Sequence, residues 1–248
     1  MSDFVVVIPA RYASTRLPGK ALRDIGGKPM LQHVFERGIE SAAMEVVIAT
    51  DDTRIADAAA AFGATVCMTG NQHRSGTERI AEVADLLDWS DEKIVVNLQG
   101  DEPSMPAALI NQCAALLGDV SADIATLASP LLEEGDFDNP NVVKVIRNVE
   151  NHAIYFSRTA IPYAREVDNR PLAMASALHH HGIYAYRCGV LRRFVAASPS
   201  DLEICEQLEQ LRALSLGMTI AVGVPVRRPG TGVDTENDLQ RAERELRP

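Results

Sequence analysis

Residues 4–20, FVVVIPARYASTRLPGK, join an uninterrupted apolar run to a loop that carries three cations. The run Phe4–Ile8 is apolar at every position, which is typical of a central parallel strand that is buried on both faces. In open α/β sheets, ligands bind at the carboxyl ends of the strands, and the loop with Arg11, Arg16 and Lys20 leaves the strand at that end. The stretch therefore predicts a parallel sheet whose first loop holds an anionic ligand.

Short apolar runs and amphipathic stretches alternate through the first half of the chain. Further strands are predicted at residues 46–49, 64–68 and 94–98, and helices are predicted to start at Pro29, Thr53, Ser75 and Pro106. Ser75 and Glu78 have the spacing of a capping box. This alternating order predicts an α/β fold with a doubly wound, mostly parallel sheet.

The pattern changes after Pro130, and we interpret residues 133–187 as a mixed insert that covers the open edge of the sheet. Turn-forming residues are frequent at its start, as expected for irregular structure between strands. The remaining predicted elements are an exposed strand at residues 142–146, a loop at 161–171, helices at 201–216 and 235–246, and a strand at 219–226.

Composition limits the class of protein. The chain has 248 residues, of which 46% are hydrophobic, and its formal net charge is −10. This negative net charge argues against nucleic acid or an anionic membrane as a partner. No apolar run approaches the ~18 residues that a membrane-spanning helix needs. The four cysteines are widely spaced without a CxxC pair, which indicates reduced thiols in a cytoplasmic protein.

The loop after the first strand has the side chains that bind a polyphosphate. The guanidinium groups of the arginines, the ammonium group of the lysine and the backbone amides that follow Ala10 are suitable donors to phosphate oxygens. The alternative is a basic loop that is exposed to solvent and binds no ligand. A Walker A loop is excluded, because Ser14 and Ala21 stand where it requires Gly and Ser or Thr. A dinucleotide fingerprint is excluded as well, because no GxGxxG follows the strand.

Two aspartates are candidate ligands of a divalent cation. Asp101 follows the strand predicted at residues 94–98, so it lies at the same edge of the sheet as the first loop, and Asp234 follows the glycine-rich residues 230–232. Mg²⁺ favours one or two carboxylates together with phosphate oxygens. The alternatives are an ordinary turn at Asp101 and a helix N-cap at Asp234.

Two polar clusters in the second half of the chain can be explained without metal or ligand binding. In an extended strand His180 faces away from His179 and His181, which argues against a metal site shared by the three. Glu206 and Glu209 recur at three-residue spacing on a predicted helix, where a solvated face is the alternative to ligand binding.

Six motifs, taken in order, resemble one enzyme family. They are residues 10–20 (ARYASTRLPGK), 75–79 (SGTER), 99–103 (QGDEP), 180–184 (HHGIY), 208–212 (LEQLR) and 230–234 (GTGVD). Over nearly its whole length the chain resembles the 3-deoxy-manno-octulosonate (Kdo) cytidylyltransferases. Related sugar cytidylyltransferases share versions of the first motif, whereas the last three narrow the resemblance to the Kdo enzymes.

The resemblance implies that residues 1–248 form a single cytidylyltransferase domain. Such an enzyme uses CTP and Mg²⁺ to convert Kdo to CMP-Kdo and pyrophosphate for lipopolysaccharide assembly. It also implies a homodimer, with the insert at residues 133–187 contributing to the acceptor pocket and to the dimer contact.

The resemblance also assigns roles to individual residues. Nucleotide binding falls to Ala10, Arg11, Arg16, Lys20, Ser75, Gly76, Arg79 and Gln99. The metal ligands are Asp101 and Asp234, which act in catalysis together with Arg16 and Lys20. The sugar-acid pocket is assigned to Gln99, Arg158, Arg165, His180, Tyr184, Glu206, Glu209 and Gln210.

The expected reaction is direct attack of the anomeric hydroxyl on the α-phosphorus of CTP, without a covalent enzyme intermediate. The chain departs from the residues that are usual in the family at Ala21, Arg74, His181 and Glu236. These positions lie beside the residues assigned to binding and catalysis, so the departures bear on substrate choice. Alternatives are a cytidylyltransferase for a sialic acid or an amino-substituted Kdo, and a nucleotide-sensing binding protein without turnover. A glycosyltransferase would be expected to show a DxD motif, a spacing that Asp51 and Asp52 lack.

Overall fold

The computed structural model describes residues 3–13, 17–119, 121–230 and 232–246. Its strands are β1 (Phe4–Pro9), β2 (Asp24–Ile25), β3 (Lys28–Pro29), β4 (Glu45–Thr50), β5 (Thr65–Met68), β6 (Ile94–Asn97), β7 (Ile124–Pro130), β8 (Lys144–Arg147), β9 (Ala153–Ser157), β10 (Leu178–Arg187) and β11 (Ile220–Gly223). Its α-helices are α1 (Met30–Ile39), α2 (Thr53–Ala61), α3 (Gly76–Leu86), α4 (Ala107–Asp119), α5 (Glu134–Asp138), α6 (Arg170–Ser176), α7 (Cys188–Ala196), α8 (Asp201–Glu206), α9 (Gln210–Ser215) and α10 (Glu236–Leu246). Among these residues no helix has the length and apolar character needed to cross a bilayer.

The main sheet has the strand order β11-β7-β10-β6-β1-β4-β5. Strand β1 pairs in parallel with β4 and β6, β4 pairs in parallel with β5, and β7 pairs in parallel with β11. Strand β10 is antiparallel to both of its neighbours, β6 and β7. The predicted α/β fold with a doubly wound, mostly parallel sheet is confirmed.

Strand β1 is buried on both faces, as its apolar run predicts. Phe4, Val6 and Ile8 pack with residues of α1 and α4 on one face. Val5 and Val7 pack with residues of α3 and α7 on the other. Because every one of these side chains is at most 3% exposed, the strand fixes the position of the loop that follows it.

The predicted insert does more than cover an edge of the sheet. Its last strand, β10, lies inside the sheet between β6 and β7. Ile183 and Ala185 enter one core cluster and Tyr184 and Tyr186 enter the other, so both faces of this strand are apolar. The expectation that the whole insert covers the edge is therefore wrong for β10, and it is β8 and β9 that extend the sheet from β10.

The strand predicted at residues 142–146 is present as β8, but it is not exposed. Lys144 and Val145 are fully buried. The ammonium group of Lys144 donates to the backbone oxygens of Asn139 at 2.9 Å and Arg158 at 2.5 Å. These bonds satisfy a lysine that the alternating pattern placed on the surface.

The helix predicted at residues 201–216 is two helices, α8 and α9. Gln207 ends α8 in the left-handed conformation, with a φ of 53°, and so turns the chain. Ser200 and Glu203 form a complete capping box at the start of α8.

Candidate active site

The carboxyl ends of β1 and β6 open into one cavity, because these two strands are parallel neighbours. The loop that follows β1 begins at Ala10, and the loop that follows β6 contains Gln99 and Asp101. Gly100 allows these loops to touch, since a Cβ atom there would lie 2.8 Å from the backbone oxygen of Pro9. The close approach explains why a glycine stands between two polar residues.

The cavity has a volume of about 540 Å³, which is within the range of small-molecule sites. Its lining residues are Pro9, Ala10, Arg11, Lys20, Ala21, Met30, His73, Arg74, Ser75, Gly76, Arg79, Gln99, Gly100, Asp101 and Asp234. Four of them are arginine or lysine in a chain whose formal net charge is −10. This local excess of cations suits a polyphosphate.

Most of the residues predicted to bind nucleotide line this cavity. They are Ala10, Arg11, Lys20, Ser75, Gly76, Arg79 and Gln99. Arg16, which was predicted to bind the triphosphate and to act in catalysis, lies outside the described residues.

The first loop is anchored to α2 by a stacked pair. The guanidinium carbon of Arg54 lies 3.3 Å from the centre of the Tyr12 ring. The carboxylate of Asp52 accepts two hydrogen bonds from the guanidinium of Arg54, of 2.9 and 2.6 Å. Gly19 lies close to the same ring and has a φ of +64°, a conformation that glycine adopts without strain.

One ammonium group joins the two predicted metal ligands. The Nζ atom of Lys20 donates to Asp101 Oδ2 at 2.7 Å and to Asp234 Oδ1 at 3.0 Å. Burial alone would lower the pKa of Lys20, but the two carboxylates hold that pKa above its ordinary value of 10.5. The structure therefore brings Asp101 and Asp234 together, although 132 residues separate them in the sequence.

Local hydrogen bonds explain how Asp234 reaches this position. The backbone nitrogen of Val233 donates to the backbone oxygen of Asp101 at 2.8 Å, which ties the two segments side by side. Thr235, and not Asp234, accepts the capping bond from the nitrogen of Asp238, at 3.3 Å. Thr235 is therefore the residue that caps α10, and the carboxylate of Asp234 contacts Lys20.

The segment at Ser75 is held from two sides. Ser75 caps α3 by accepting from the nitrogen of Glu78 at 3.2 Å. The predicted capping box is incomplete, because the carboxylate of Glu78 accepts from the nitrogen of Arg74 instead, at 2.8 Å. The hydroxyls of Ser75 and Thr77 each donate to Glu209 at 2.6 Å.

Arg79 is buried and is held by several partners. It forms an ion pair of 3.0 Å with Asp51, and it donates to Thr69 Oγ1 and to the backbone oxygen of Gly70. One turn later on α3, the carboxylate of Glu82 accepts from the backbone nitrogen of Gly70 and from the ring of His73. Helix α3 thus holds the loop of residues 69–75 against the cavity.

Among the predicted sugar-pocket residues, only Gln99 lines the cavity. Its Nε2 atom donates to the backbone oxygen of Gly182 at 3.4 Å, which links the cavity to β10. Glu209 lies behind the cavity wall through its bonds to Ser75 and Thr77. Gln210 is the first residue of α9, immediately after Glu209.

Half-buried His180 and buried Tyr184 form a pair on β10. Their ring centres are 5.3 Å apart, and His180 also contacts Phe156 and Thr126. His179 and His181 face each other on the opposite side of the strand, at 4.9 Å between ring centres, as the alternation predicted. Burial lowers the pKa of His180 to about 3, so this ring is neutral near pH 7.

Arg158 and Glu206 are bound to one another. The carboxylate of Glu206 accepts from the nitrogen of Arg158 at 2.9 Å and from Ser157 Oγ at 2.6 Å. The guanidinium of Arg158 donates in turn to the backbone oxygen of Glu206 at 2.7 Å. Arg165 is separate from this pair, with 93% of its side chain exposed.

Sequence reasoning missed several polar residues at this site. His73 and Arg74 line the cavity directly before the predicted Ser75 motif. Glu102 lies in the motif at residues 99–103 and has no predicted role, yet burial, together with the carboxylates of Asp101 and Asp234, raises its pKa to about 8. Proximity to the conspicuous motifs was the available signal for all three residues.

Comparison with known proteins identifies relatives along the whole chain. The cytidylyltransferase family model matches residues 5–220. A 3-deoxy-manno-octulosonate cytidylyltransferase from Thioalkalivibrio sulfidiphilus (strain HL-EbGR7) is 52% identical over 248 residues, which is 99% of both chains.

Solved structures agree with this relationship. The structure of a CMP:2-keto-3-deoxy-manno-octonic acid synthetase complexed with CTP is 42% identical, with a TM-score of 0.89 over 99% of this chain and 98% of that chain. A 4-diphosphocytidyl-2C-methyl-D-erythritol synthase shares the fold, at 17% identity and a TM-score of 0.67 over 99% of this chain and 100% of that chain. The chain therefore belongs to the cytidylyltransferase family, and within it to the 3-deoxy-manno-octulosonate cytidylyltransferases.

Proposed function

We propose that this enzyme transfers a cytidylyl group from CTP to the anomeric hydroxyl of Kdo, giving CMP-Kdo and pyrophosphate. The observation that carries the proposal is the 52% identity to a 3-deoxy-manno-octulosonate cytidylyltransferase over 99% of both chains. The cation-rich cavity at the carboxyl ends of β1 and β6 supports it, because a nucleoside triphosphate needs such a site.

The triphosphate lies at the end of the cavity formed by the first loop. Arg11 and Lys20 line this end and supply positive charge to phosphate oxygens. Ser75 and Gly76 line the cavity at the start of α3, where they contact the nucleoside. Holding both parts of CTP fixes the α-phosphorus for attack in line with the departing pyrophosphate.

Asp101 and Asp234 fit a Mg²⁺ ion. One oxygen from each carboxylate lies within 3.0 Å of the same nitrogen atom, so both point into one small space inside the cavity. Carboxylate oxygens beside phosphates are the ligands that Mg²⁺ prefers. The ion, when bound, neutralises charge on the triphosphate, and Arg11 supplies further positive charge from the protein.

The sugar acid lies beside Gln99, between the cavity and β10. Gln99 reaches β10 through Gly182, and the pair of His180 and Tyr184 lies on the same strand. Amide and carboxylate side chains suit the hydroxyls of Kdo, and arginine suits its carboxylate. Arg158, Arg165, Glu206, Glu209 and Gln210 complete the proposed acceptor region.

A homodimer is part of the proposal. Strand β9 pairs with β8 alone among the described strands, and the residue before it, His152, forms a single antiparallel bridge with Ala221 of β11. Large apolar side chains are exposed in and near this part of the insert, namely Val149, Ile154, Tyr163, Val167 and Leu172. Light scattering of the purified chain tests the dimer, and a monomer at micromolar concentration would reject it.

We place the enzyme in the cytoplasm, where its unpaired cysteines stay reduced.

Pyrophosphate release tests the reaction. The assay combines the enzyme, CTP and Mg²⁺ with Kdo, an amino-substituted Kdo or a sialic acid, and a reaction without acceptor serves as the control. We expect Kdo to give the highest kcat/KM and UTP to be a poor donor. A faster reaction with a sialic acid would change the substrate, whereas binding of CTP without any release would indicate a nucleotide-sensing protein.

A further inference from the structure

The ammonium group of Lys20 and a divalent cation would use the same carboxylate oxygens. Lys20 Nζ lies 2.7 Å from Asp101 Oδ2 and 3.0 Å from Asp234 Oδ1. A Mg²⁺ ion binds such oxygens at about 2.1 Å, so the ion and the ammonium would lie a few ångströms apart. Two positive charges at this separation repel strongly at a partly buried site.

We propose that Lys20 closes the metal site of the nucleotide-free enzyme, and that a divalent cation reaches Asp101 and Asp234 only when the triphosphate draws Lys20 away. This inference rests on the proposed metal site. It gives Lys20 two successive partners, the aspartates first and the phosphates of CTP second. The metal and the nucleotide therefore enter as a coupled pair.

The fold holds Lys20 in its first position. Gly19 adopts the left-handed conformation, and Lys20 then opens a 3-10 turn that extends to Leu22. The Lys20 side chain is only 16% exposed, so its ammonium group stays close to the aspartates. The bond between Val233 and the backbone of Asp101 keeps both aspartates in place while the lysine moves.

The second position is within reach, because Lys20 lines the same cavity as Arg11. A lysine carries its charge on a flexible four-carbon stem, so its Nζ atom can change partners without movement of the backbone. Phosphate oxygens offer the ammonium new partners at the moment when the carboxylates acquire the divalent ion.

The exchange has a consequence for binding energetics. If CTP raises the affinity of the enzyme for the metal, the metal must raise its affinity for CTP by the same factor. In the nucleotide-free enzyme Lys20 also lies between two carboxylates and offsets their mutual repulsion. Replacement of Lys20 by an uncharged residue should thus expose a metal site that the wild-type protein conceals.

Binding of Mn²⁺ alone tests the inference without any turnover. The free Mn²⁺ signal in electron paramagnetic resonance is followed during titration of the full chain without nucleotide, for the wild type, Lys20→Met, Lys20→Gln and Lys20→Arg. We expect Lys20→Met and Lys20→Gln to bind one Mn²⁺ about tenfold more tightly than the wild type or more, since the repelling charge is gone. Lys20→Arg keeps the charge and should bind as weakly as the wild type.

Two further measurements separate this inference from the proposed metal site. Adding Asp101→Asn to Lys20→Met should remove the new Mn²⁺ site. Proton relaxation enhancement should detect a ternary complex of the wild type with Mn²⁺ and CTP, and Asp101→Asn should weaken that complex. If the ternary complex forms as expected but neither uncharged variant binds Mn²⁺ more tightly than the wild type, the inference is overturned and the metal site stands. If Asp101→Asn forms the ternary complex as well as the wild type, the metal site itself is rejected.

Discussion

Glu82 accepts a hydrogen bond from His73, a residue whose ring lines the nucleotide cavity although Glu82 does not. The same carboxylate accepts from the backbone nitrogen of Gly70 at 2.9 Å. Burial alone would raise the pKa of Glu82, but these two bonds and nearby positive charge lower it, so the carboxylate is ionised near pH 7. Glu82 therefore acts on the cavity through the loop of residues 69–75.

Replacement of Glu82 should weaken CTP binding more than it slows the chemical step. Glu82→Ala releases His73 and Gly70, and the loss of charge-assisted bonds should raise the KM for CTP roughly tenfold with little change in kcat. Glu82→Gln keeps an acceptor for Gly70 and should fall between the wild type and Glu82→Ala. Steady-state kinetics at saturating Kdo measures both constants.

Asp85→Ala is the matched control for this prediction. Asp85 lies one turn further along α3 and forms an exposed ion pair with Arg192 at 2.8 Å, away from the cavity lining. Its KM for CTP should stay close to that of the wild type, because an exposed pair contributes little. Equal changes in the two alanine variants would show that Glu82 supports the helix and not the loop.

A side chain at position 100 should separate the two loops of the cavity. The Cβ atom in Gly100→Ala would lie 2.8 Å from the backbone oxygen of Pro9, and relief of that overlap should cost about 1–3 kcal/mol of stability. The KM for CTP should rise as well, since Ala10 and Asp101 follow the displaced segments. Urea denaturation and steady-state kinetics measure the two effects.

Gly135→Ala provides the comparison for Gly100→Ala. A Cβ atom at Gly135, in α5, meets no atom within 4 Å, so its effect on stability should stay within about 0.5 kcal/mol. A loss in Gly135→Ala as large as that in Gly100→Ala would contradict the argument from close approach.

The sequence was sufficient to predict the parts of the site that depend on local pattern and on one rule of topology. The apolar run of β1 identified a buried strand, and the loops after β1 and β6 were expected at the same edge because parallel strands end together. That rule located Lys20 and Asp101. Spacing alone did not predict that Lys20 would bond to both aspartates.

The parts that were not predicted depend on contacts between distant segments. The position of β10 between β6 and β7 follows from antiparallel pairing across long sequence separations, which a local pattern does not encode. Glu209 holds Ser75 from 134 residues away, and Arg79 pairs with Asp51 across a neighbouring loop. No local pattern links these residues to one another, because their partners come together only in the fold.

Two half-buried histidines of β10 should make the protein less stable in mild acid. Burial lowers the pKa of both His180 and His181 from the ordinary value of 6.5 to about 3. Between these values the unfolded chain binds more protons than the folded chain, so the free energy of unfolding falls as the pH decreases below about 6.5. His181→Asn retains a partner for Ser129 and removes one titrating group, so it should lose less stability between pH 7 and pH 5. Urea midpoints at the two pH values measure the loss, and an equal loss in both proteins would exclude His181 as a cause.

Asp101 and Asp234 should behave as one catalytic unit. Each places one carboxylate oxygen within 3.0 Å of Lys20 Nζ, so a single ion would need both oxygens. Asp101→Asn and Asp234→Asn keep the size of the side chain but remove its charge, and each should abolish most of the turnover with CTP and Kdo. The double variant should be little slower than either single variant, because the first substitution already disables the shared site. Circular dichroism should show an unchanged fold in all three variants. If the effects on kcat were instead multiplicative, the two aspartates would act independently, and the shared-metal assignment would have to be abandoned.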